Sequence, residues 1–351
     1  MSGLAVQQLS VRYRGVLAVS GVSFEIDRGS VLGLVGESGS GKSTVAGAVL
    51  GLTSYEGRIE WDGEELGGRA GSPSRRRLQL VFQDPRSSLD PRFSVEQCVT
   101  EALRSRQGAR QRVRDLLELV ALDPELASRS PDSLSGGQRQ RVAIARALAA
   151  EPEVLVADEV TASLDVSVQA VVLNLLRRIQ HELSLTMLFI SHNLAVVRYM
   201  SNQLAVMYHG RIVEHGETAT VVEDPQHPYT RTLLDAVPKL GRRLLEHAGE
   251  AESLAEAAEA VGGGGGCPFR TRCPIGPRFR NNTEICEQRD PALEASSRRH
   301  GAACHFAEAA AGAPHPAERT PTLAESAPYP AESAPHPAER APYPAESEHD
   351  P

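Results

Sequence analysis

Residues 36–43, Gly36-Glu37-Ser38-Gly39-Ser40-Gly41-Lys42-Ser43, have the types and spacing that hold a chain of phosphates. Glycines allow backbone N–H groups to curl around phosphate oxygens, and a helix predicted to open near Thr44 adds the favourable dipole of its N-terminus. In this pattern the lysine reaches the β- and γ-phosphates and the serine hydroxyl joins the coordination shell of Mg²⁺. The sequence therefore predicts a site for ATP and Mg²⁺ formed by Gly36, Ser38, Gly39, Ser40, Gly41, Lys42, Ser43 and Thr44.

Two adjacent acids, Asp158 and Glu159, follow the apolar run Val154–Ala157. An apolar strand that ends in a carboxylate delivers it to the edge of the sheet where the phosphates bind. Asp158 is predicted to hold Mg²⁺ through water, and Glu159 to orient or deprotonate the attacking water. Because the chain also contains a complete phosphate-binding loop, this pair of acids predicts hydrolysis of the nucleotide.

A second anion-binding pattern, Ser135-Gly136-Gly137-Gln138, precedes the predicted helix Arg139–Ala149. Serine and glycines at a helix N-terminus suit a phosphate oxygen. The γ-phosphate of this chain's own nucleotide is already held by residues 36–43. The second pattern therefore indicates a nucleotide held by another copy or by a homologue, and hence a head-to-tail dimer with ATP between the two subunits.

The elements that must position these motifs follow from hydrophobic periodicity. Residues 1 to about 220 alternate short apolar runs with helical patterns, which is typical of an α/β domain. The predicted strands are Val31–Val35, Leu78–Phe82, Val154–Ala157 and Thr186–Ile190. The predicted helices are Thr44–Leu50, Glu96–Arg104, Arg112–Val120, Arg139–Ala149 and Val168–Glu182. Turn residues around Ile59–Asp62 indicate a small β-meander.

Composition excludes several classes of protein. With 41% hydrophobic and 23% charged residues, the chain is typical of a globular protein and has no apolar run of the ~18–20 residues that a membrane span needs. Its N-terminus lacks the basic region and apolar run of a secretory leader, so we expect a cytosolic chain. Eight acids and two bases beyond residue 306 account for −6 of the net charge of −8. The remainder is nearly neutral, which gives no electrostatic reason to bind nucleic acid.

Together the motifs resemble those of the ATP-binding-cassette (ABC) ATPases, whose signature is LSGGQ, over residues 4 to about 222. The resemblance implies a P-loop α/β fold with a RecA-like core, a β-subdomain and a helical subdomain. It also implies further site residues, which are Tyr13 stacking on adenine, Gln83 reaching Mg²⁺ and the water, Asp165 crossing the dimer interface and His192 contacting the γ-phosphate. Val160 stands where many family members have proline, and a modest effect on turnover is expected.

Three segments resemble the peptide/nickel importers within this family: residues 84–92 after Gln83, residues 165–169, and Asp224–Thr230, which contains the His-Pro-Tyr of their C-terminal extension. The resemblance implies the second ATPase subunit of an oligopeptide or dipeptide importer, at the cytoplasmic face of the membrane. Its implied partners are a homologous ATPase or a second copy, two permease subunits and, indirectly, an extracytoplasmic solute-binding protein. Nickel or another small solute is an alternative cargo. A non-transport ABC ATPase is disfavoured, because residues 44–134 have no room for a long coiled coil and one P-loop is present.

Four of the five cysteines, Cys267, Cys273, Cys286 and Cys304, lie in one late segment. Cys267–Pro274 resembles part of the same importer extension, which carries a 4Fe–4S cluster in some members. Four thiolates suit iron–sulfur or Zn²⁺, but their spacing matches neither a zinc ribbon nor a ferredoxin run. An iron–sulfur cluster, zinc and free thiols therefore all stay open, and His300 or His305 could replace one cysteine as a ligand. The fifth cysteine, Cys98, is predicted to lie in the core.

The predicted organisation has five parts. An ABC ATPase domain spans residues 1–222, and the importer extension starts in residues 223–240. A flexible Ala/Glu/Gly linker (241–266) leads to the cysteine segment (267–306). Residues 307–351 repeat Pro/Ala/Glu heptads whose prolines exclude a coiled coil, which predicts a disordered tail. The arginine runs at 75–77 and 298–299 are interpreted as solvated faces.

Overall fold

The structure, a computed structural model, describes residues 3–67, 72–85, 88–236, 266–278, 283–291 and 300–307, all within the compact unit Met1–Gly312. Its strands are β1 (Gly3–Tyr13), β2 (Val16–Asp27), β3 (Val31–Val35), β4 (Glu56–Trp61), β5 (Glu64–Glu65), β6 (Leu78–Val81), β7 (Val154–Asp158), β8 (Thr186–Ser191), β9 (Gln203–Tyr208), β10 (Arg211–Glu217) and β11 (His300–Ala302). Its helices are α1 (Lys42–Val49), α2 (Val95–Ala102), α3 (Ala109–Leu119), α4 (Gly136–Ala149), α5 (Val166–Leu183), α6 (Leu194–Met200), α7 (Thr218–Glu223), α8 (Pro228–Asp235) and α9 (Ile285–Gln288).

A seven-stranded sheet forms the centre of the fold, in the order β11-β10-β9-β3-β8-β7-β6. The five strands from β9 to β6 run parallel, whereas β10 and β11 add antiparallel strands at one edge. β3 and β8 are buried at every residue, as expected for parallel strands covered on both faces. The predicted α/β class is confirmed, and the four predicted strands lie within one residue of their predicted ends.

A second, four-stranded antiparallel sheet has the order β2-β1-β4-β5. Asp62 (φ 55°) and Gly63 (φ 79°) turn the chain between β4 and β5, and two consecutive positive φ angles match the right-handed twist of a hairpin. The predicted meander around Ile59–Asp62 is therefore confirmed. Its apolar side chains, among them Trp61, share a core with α1, so this sheet lies beside the helix that follows the phosphate-binding loop.

Helices α2, α3 and α4 pack together and share a core with the central sheet. All five predicted helices are present, and each begins one to three residues earlier than predicted. The first turns of α1 and α4 consist of glycine and polar residues, which carry no hydrophobic periodicity. α2 and α4 both open with a capping box, Ser94 with Gln97 and Ser135 with Gln138. Cys98 is buried in this core, as predicted.

The prediction of a solvated arginine run is wrong for Arg75, whose exposed fraction is 2%. Its guanidinium donates hydrogen bonds to the carbonyls of Ala48 and Val49, the last residues of α1. Carbonyls in the last turn of a helix lack intrahelical partners, and the buried cation caps these two, of which Ala48 also accepts from the N–H of Gly51. The neighbouring Arg76 is exposed. Residues 298 and 299 lie outside the described residues.

The C-terminal extension, meaning the described residues from 224 onward, attaches at β10. β11 pairs with β10, and the fully buried Glu214 of β10 accepts three hydrogen bonds. The donors are the backbone N–H groups of Gln226 (2.6 Å) and His227 (2.9 Å) and the ring of His300 (2.8 Å). One carboxylate thus fixes both ends of the extension. The predicted linker except Gly266, and the predicted tail except Ala307, lie outside the described residues.

Candidate functional site

The predicted motifs meet at one edge of the central sheet. β3, β8, β7 and β6 are parallel, and Val35 pairs with Ser191, Asp158 with Ile190, and Val81 with Ala157. The phosphate-binding loop (residues 36–43) and the residues after the other three strands therefore leave the sheet on the same side. This is the side on which open α/β sheets bind ligands.

Glycines give the phosphate-binding loop its path. Gly41 has φ 104° and caps α1, a backbone conformation that side-chain-bearing residues rarely adopt. At Gly36 a Cβ would lie 2.2 Å from the carbonyl oxygen of Met207 at the end of β9. The loop is therefore pressed against β9 before it turns into the helix.

Lys42 lies buried inside this loop. Its Nζ donates to the carbonyls of Gly36 and Glu37, both at 2.8 Å, and to Ser40 Oγ at 3.4 Å. Burial lowers the pKa of Lys42, while the nearby carboxylates of Glu159, Asp158 and Glu37 favour its charged form. The ammonium is thus held where phosphate oxygens can replace carbonyl oxygens as its partners.

Asp158, at the end of β7, has an unsatisfied oxygen. Burial raises the pKa of this carboxyl group, and a hydrogen bond from Ser43 and the charge of Lys42 oppose the rise. Its Oδ1 is buried and has no hydrogen-bond partner among the described residues. A buried carboxylate oxygen beside a serine hydroxyl provides the oxygen ligands that Mg²⁺ prefers. The residues present therefore fit this cation.

Glu159 and His192 contact each other across the ends of β7 and β8. His192 Nδ1 lies 3.1 Å from Glu159 Oε1. Glu159 has φ 47°, and its N–H donates to the carbonyl of Ile190. A left-handed backbone at a side-chain-bearing residue is strained and is often found at functional sites. Val160, where proline was expected, is fully buried, so core packing holds this turn.

Gln83 and Tyr13 reach the site from its margins. Gln83 follows β6, its side chain is exposed, and its carbonyl accepts a hydrogen bond from Ser163 Oγ at 3.5 Å, which connects it to the loop before Asp165. Tyr13 ends β1 and is 47% exposed, with its hydroxyl 3.2 Å from Thr53 Oγ1. Both side chains are accessible to a ligand.

The signature residues form the first turn of α4. Ser135 and Gln138 cap the helix reciprocally, and Ser135 is exposed. Gly137 packs against Val168 in α5, whose N-cap is Asp165. Hydrogen bonds from Ser167 and from the backbone of Val168 lower the pKa of Asp165. The signature turn and the start of α5 therefore form one surface.

The four C-terminal cysteines line one cavity of about 10 Å³, together with apolar residues that include Phe269 and Ile275. Burial raises the pKa of all four thiols, to about 12 for Cys273 and about 11 for Cys304. Within the part of the chain that the structure describes, no three His, Cys, Asp or Glu residues are arranged to hold a metal ion. The arrangement therefore supports neither the iron–sulfur nor the zinc option.

Similarity to known proteins extends over both the cassette and the extension. The family model of ABC transporters matches residues 19–162, and that of the C-terminal region of oligopeptide/dipeptide transporters matches residues 213–286. The oligopeptide transport ATP-binding protein OppF of Salmonella typhimurium is 42% identical over 299 residues, covering 82% of this chain and 87% of OppF. This chain belongs to the ABC transporter ATP-binding proteins of the oligopeptide/dipeptide importer family. It is an ABC ATPase, which hydrolyses ATP.

Solved structures share the ABC ATPase fold. CbiO1 of Clostridium perfringens, described as part of the ABC transporter complex cbiONQ, is 32% identical with a TM-score of 0.59 and covers 64% of this chain and 91% of its own. The cassette MJ0796, described as a dimer in a post-hydrolysis state with ADP and Pi, is 27% identical with a TM-score of 0.55. That match covers 61% of this chain and 98% of MJ0796. Among the described residues, none of the helices combines the length and the apolar character that a membrane span requires.

Two side chains that sequence reasoning gives no role also contact the phosphate-binding loop. Tyr229 and Arg272 both contact Glu37, the second residue of the phosphate-binding loop. They are 192 and 235 residues away from it in sequence, so no local pattern connects them. The Cys267–Pro274 motif marks Arg272 as part of the extension but carries no signal of its partner.

Proposed function

We propose that this ABC ATPase is the motor subunit of an importer that takes up oligopeptides or dipeptides through separate membrane subunits. The observation that carries the proposal is the match of residues 213–286 to the C-terminal region of oligopeptide/dipeptide transporters. OppF, an oligopeptide transport ATP-binding protein, supports the same substrate class. An ATPase subunit does not contact the transported solute, so uptake is the test of that class.

Nucleotide binding is assigned to the phosphate-binding loop and the first residues of α1. Backbone N–H groups of the loop surround the β- and γ-phosphates. Lys42, which donates to two loop carbonyls, exchanges them for phosphate oxygens. The exposed ring of Tyr13 offers a stacking face for adenine.

Hydrolysis is assigned to the residues at the ends of β6, β7 and β8. Mg²⁺, when bound, neutralises charge on the phosphate oxygens. Ser43, Gln83 and Asp158 are its proposed ligands, with Asp158 acting through water. Glu159 accepts the proton of the attacking water, and His192 at 3.1 Å orients the Glu159 carboxylate and contacts the γ-phosphate.

A second ATPase completes each site in this proposal. We assign Ser135, Gly136, Gly137, Gln138 and Asp165 to a nucleotide held by that partner, which is a homologous subunit or a second copy. The dimeric state of MJ0796 supports this arrangement. Two permease subunits would anchor the pair at the cytoplasmic face of the membrane, and an extracytoplasmic binding protein would deliver the solute to these subunits from the opposite face. No role in nucleic-acid binding is proposed.

The Glu159→Gln variant tests the catalytic assignment. Glutamine keeps the size of the side chain but cannot accept the proton, so turnover is expected to fall by about 100-fold or more. ATP binding is retained, and a dimer should accumulate with ATP in size-exclusion chromatography. Glu182→Gln, an exposed acid near the end of α5, is the matched control. Turnover in Glu159→Gln equal to that of the control would contradict the assignment.

Uptake of a labelled dipeptide, and separately of nickel, tests the cargo. Both are measured in cells that carry the chain or its Glu159→Gln variant together with the cognate permease subunits. Dipeptide uptake that is lost in the variant supports the proposal. Loss of nickel uptake alone would assign the importer to nickel, and unchanged uptake of both solutes would overturn the peptide assignment.

A further inference from the structure

The C-terminal extension contacts the phosphate-binding loop at Glu37 through two side chains. Arg272 Nη1 and Nη2 donate to the two carboxylate oxygens of Glu37, at 3.0 and 2.9 Å. The backbone N–H of Glu37 donates to the hydroxyl of Tyr229 at 2.9 Å. A bidentate arginine–carboxylate pair is strong and directional. Both the side chain and the backbone of one loop residue are therefore fixed from the extension.

Packing against aromatic rings restricts the side chains of both Tyr229 and Arg272. The ring of Tyr229 is buried, with its centroid 4.6 Å from that of Tyr208 and 5.5 Å from that of Phe269. The guanidinium of Arg272 lies 5.9 Å from the Tyr208 ring and 5.8 Å from the Phe269 ring, and its side chain is 12% exposed. Cation–π contacts and packing hold it before it meets the loop. Because the groups are already oriented, the pairing costs little side-chain entropy.

Glu37 and its neighbour Gly36 also contact Lys42, the lysine of the phosphate-binding loop. The carbonyls of Gly36 and Glu37 are the two short acceptors of Lys42 Nζ. Gly36 is pressed against the Met207 carbonyl on its other side. Residues 36 and 37 are thus held between β9 and the extension, and their position determines where the Lys42 ammonium lies.

Charge gives Arg272 a second effect. Glu37 is a carboxylate in a loop that must accept a polyphosphate, and like charges at short range oppose binding. It also interacts with Lys42, whose charged form it favours. While Arg272 donates to both carboxylate oxygens of Glu37, its positive charge balances that carboxylate, whose side chain is turned to the extension. Without Arg272, Glu37 would be free to pair with Lys42 and compete with the phosphates.

We propose that Arg272 and Tyr229 are positioning residues of the ATP site, through which the C-terminal extension sets the affinity for nucleotide. They act through Glu37 and do not contact the phosphates themselves. The loop grips the phosphates in the ground state and in the transition state alike, so the effect falls on binding and on KM, with little change in kcat.

The test measures binding of MgADP to the full chain by isothermal titration. This ligand is not hydrolysed and needs no dimer, so the result is independent of the proposed transport function. The variants are Arg272→Ala, Arg272→Lys, Glu37→Gln, Tyr229→Phe and the double variant Arg272→Ala/Glu37→Gln. Arg270→Ala is the matched control, because its guanidinium donates to the Cys267 carbonyl inside the same segment. KM and kcat for ATP are measured in parallel.

Arg272→Ala is expected to weaken MgADP binding roughly 5- to 30-fold, because it leaves a carboxylate unpaired beside the phosphates. Arg272→Lys keeps the charge but loses the bidentate geometry and should lie in between. Tyr229→Phe removes one hydroxyl and should weaken binding about 3- to 10-fold. The double variant should bind within about threefold of the unaltered chain, since the neutral amide that replaces the Glu37 carboxylate no longer competes for Lys42.

Two results would overturn the proposal. One is an affinity of Arg272→Ala within twofold of that of Arg270→Ala. The other is a double variant that binds as weakly as Arg272→Ala, since a role confined to folding of the extension is not relieved by neutralising Glu37. Thermal unfolding of each variant separates loss of fold from loss of affinity.

Discussion

Gly137 of the signature occupies a position with no room for a side chain. A Cβ there would lie 2.4 Å from Val168 Cγ1, whereas a Cβ at Gly136 would lie 3.5 Å from Leu164 Cδ2, an ordinary contact. Val168 is β-branched and lies in the first turn of α5, where its χ1 angle is stiff. Gly137→Ala must therefore push the start of α4 away from α5, while Gly136→Ala leaves this contact intact.

The magnitude follows from the comparison of the two variants. Insertion of a methyl group into a packed contact costs about 1–3 kcal/mol of the free energy of unfolding. Replacement of glycine by alanine in a helix returns up to about 1 kcal/mol, and it does so at both positions. The difference between the variants therefore isolates the clash. At roughly 2–4 °C per kcal/mol for a chain of this size class, the midpoint of Gly137→Ala should lie a few degrees below that of Gly136→Ala.

Thermal unfolding of the full chain is the assay, with Val168→Ala and Gly137→Ala/Val168→Ala added to complete a double-mutant cycle. Removal of the Val168 methyl groups makes room for the new Cβ, so the double variant should recover about 1–2 kcal/mol relative to the sum of the single changes. ATPase turnover should follow the same order, because the displaced turn carries the signature. Equal midpoints for the two glycine variants, or a cycle without coupling, would refute this reasoning.

Three further predictions concern groups outside the signature. Arg75→Ala should lower the free energy of unfolding, measured with urea, by about 3 kcal/mol, because it removes the buried guanidinium that donates to the last carbonyls of α1. The control Arg76→Ala, at an exposed residue, should change it by less than about 0.5 kcal/mol. Burial lowers the pKa of His227 in the folded chain to about 3. Below the ordinary histidine pKa of about 6.5, this residue binds a proton in the unfolded chain but not in the folded chain, so the free energy of unfolding falls as the pH decreases towards 3. His227→Gln should show a flatter decline of the urea midpoint between pH 7.5 and 5.5, and an unchanged slope would contradict this. The pKa values of Cys273 and Cys304 are raised to about 12 and about 11, so iodoacetamide at pH 7.5 should label these thiols slowly in the folded chain and fully in urea. Rapid labelling of the folded chain would contradict this and show that the cavity is open.

The sequence predicts those parts of the site whose chemistry is encoded by neighbouring residues. Residues 36–43 and the Asp158–Glu159 pair carry their own strand and helix signals, so the residues and the elements that hold them could both be predicted. The start of α4 was predicted late because its first turn, Gly136–Gln138, is capped by polar groups and shows no apolar periodicity. The capping boxes of α2 and α4 are the signal that would have corrected the starts of these two helices.

Features that depend on tertiary contacts could not be predicted in this way. Arg75 looks like any surface arginine, and its burial follows only from where the end of α1 lies in three dimensions. The same holds for Arg272, whose partner Glu37 belongs to a motif that is complete without it. A charged residue reveals its role in sequence only when its partner lies nearby along the chain.

The contacts of the extension explain why it should be considered part of the ATPase. Glu214, buried in the central sheet, accepts hydrogen bonds from Gln226, His227 and His300, so this carboxylate would lose all three donors if the extension were absent. Glu37 would lose Arg272 and Tyr229 at the same time. Both carboxylates lie in the cassette, and both have their partners in the extension. The residues that mark this chain as a peptide-importer ATPase therefore also complete the hydrogen bonding of the central sheet and of the phosphate-binding loop.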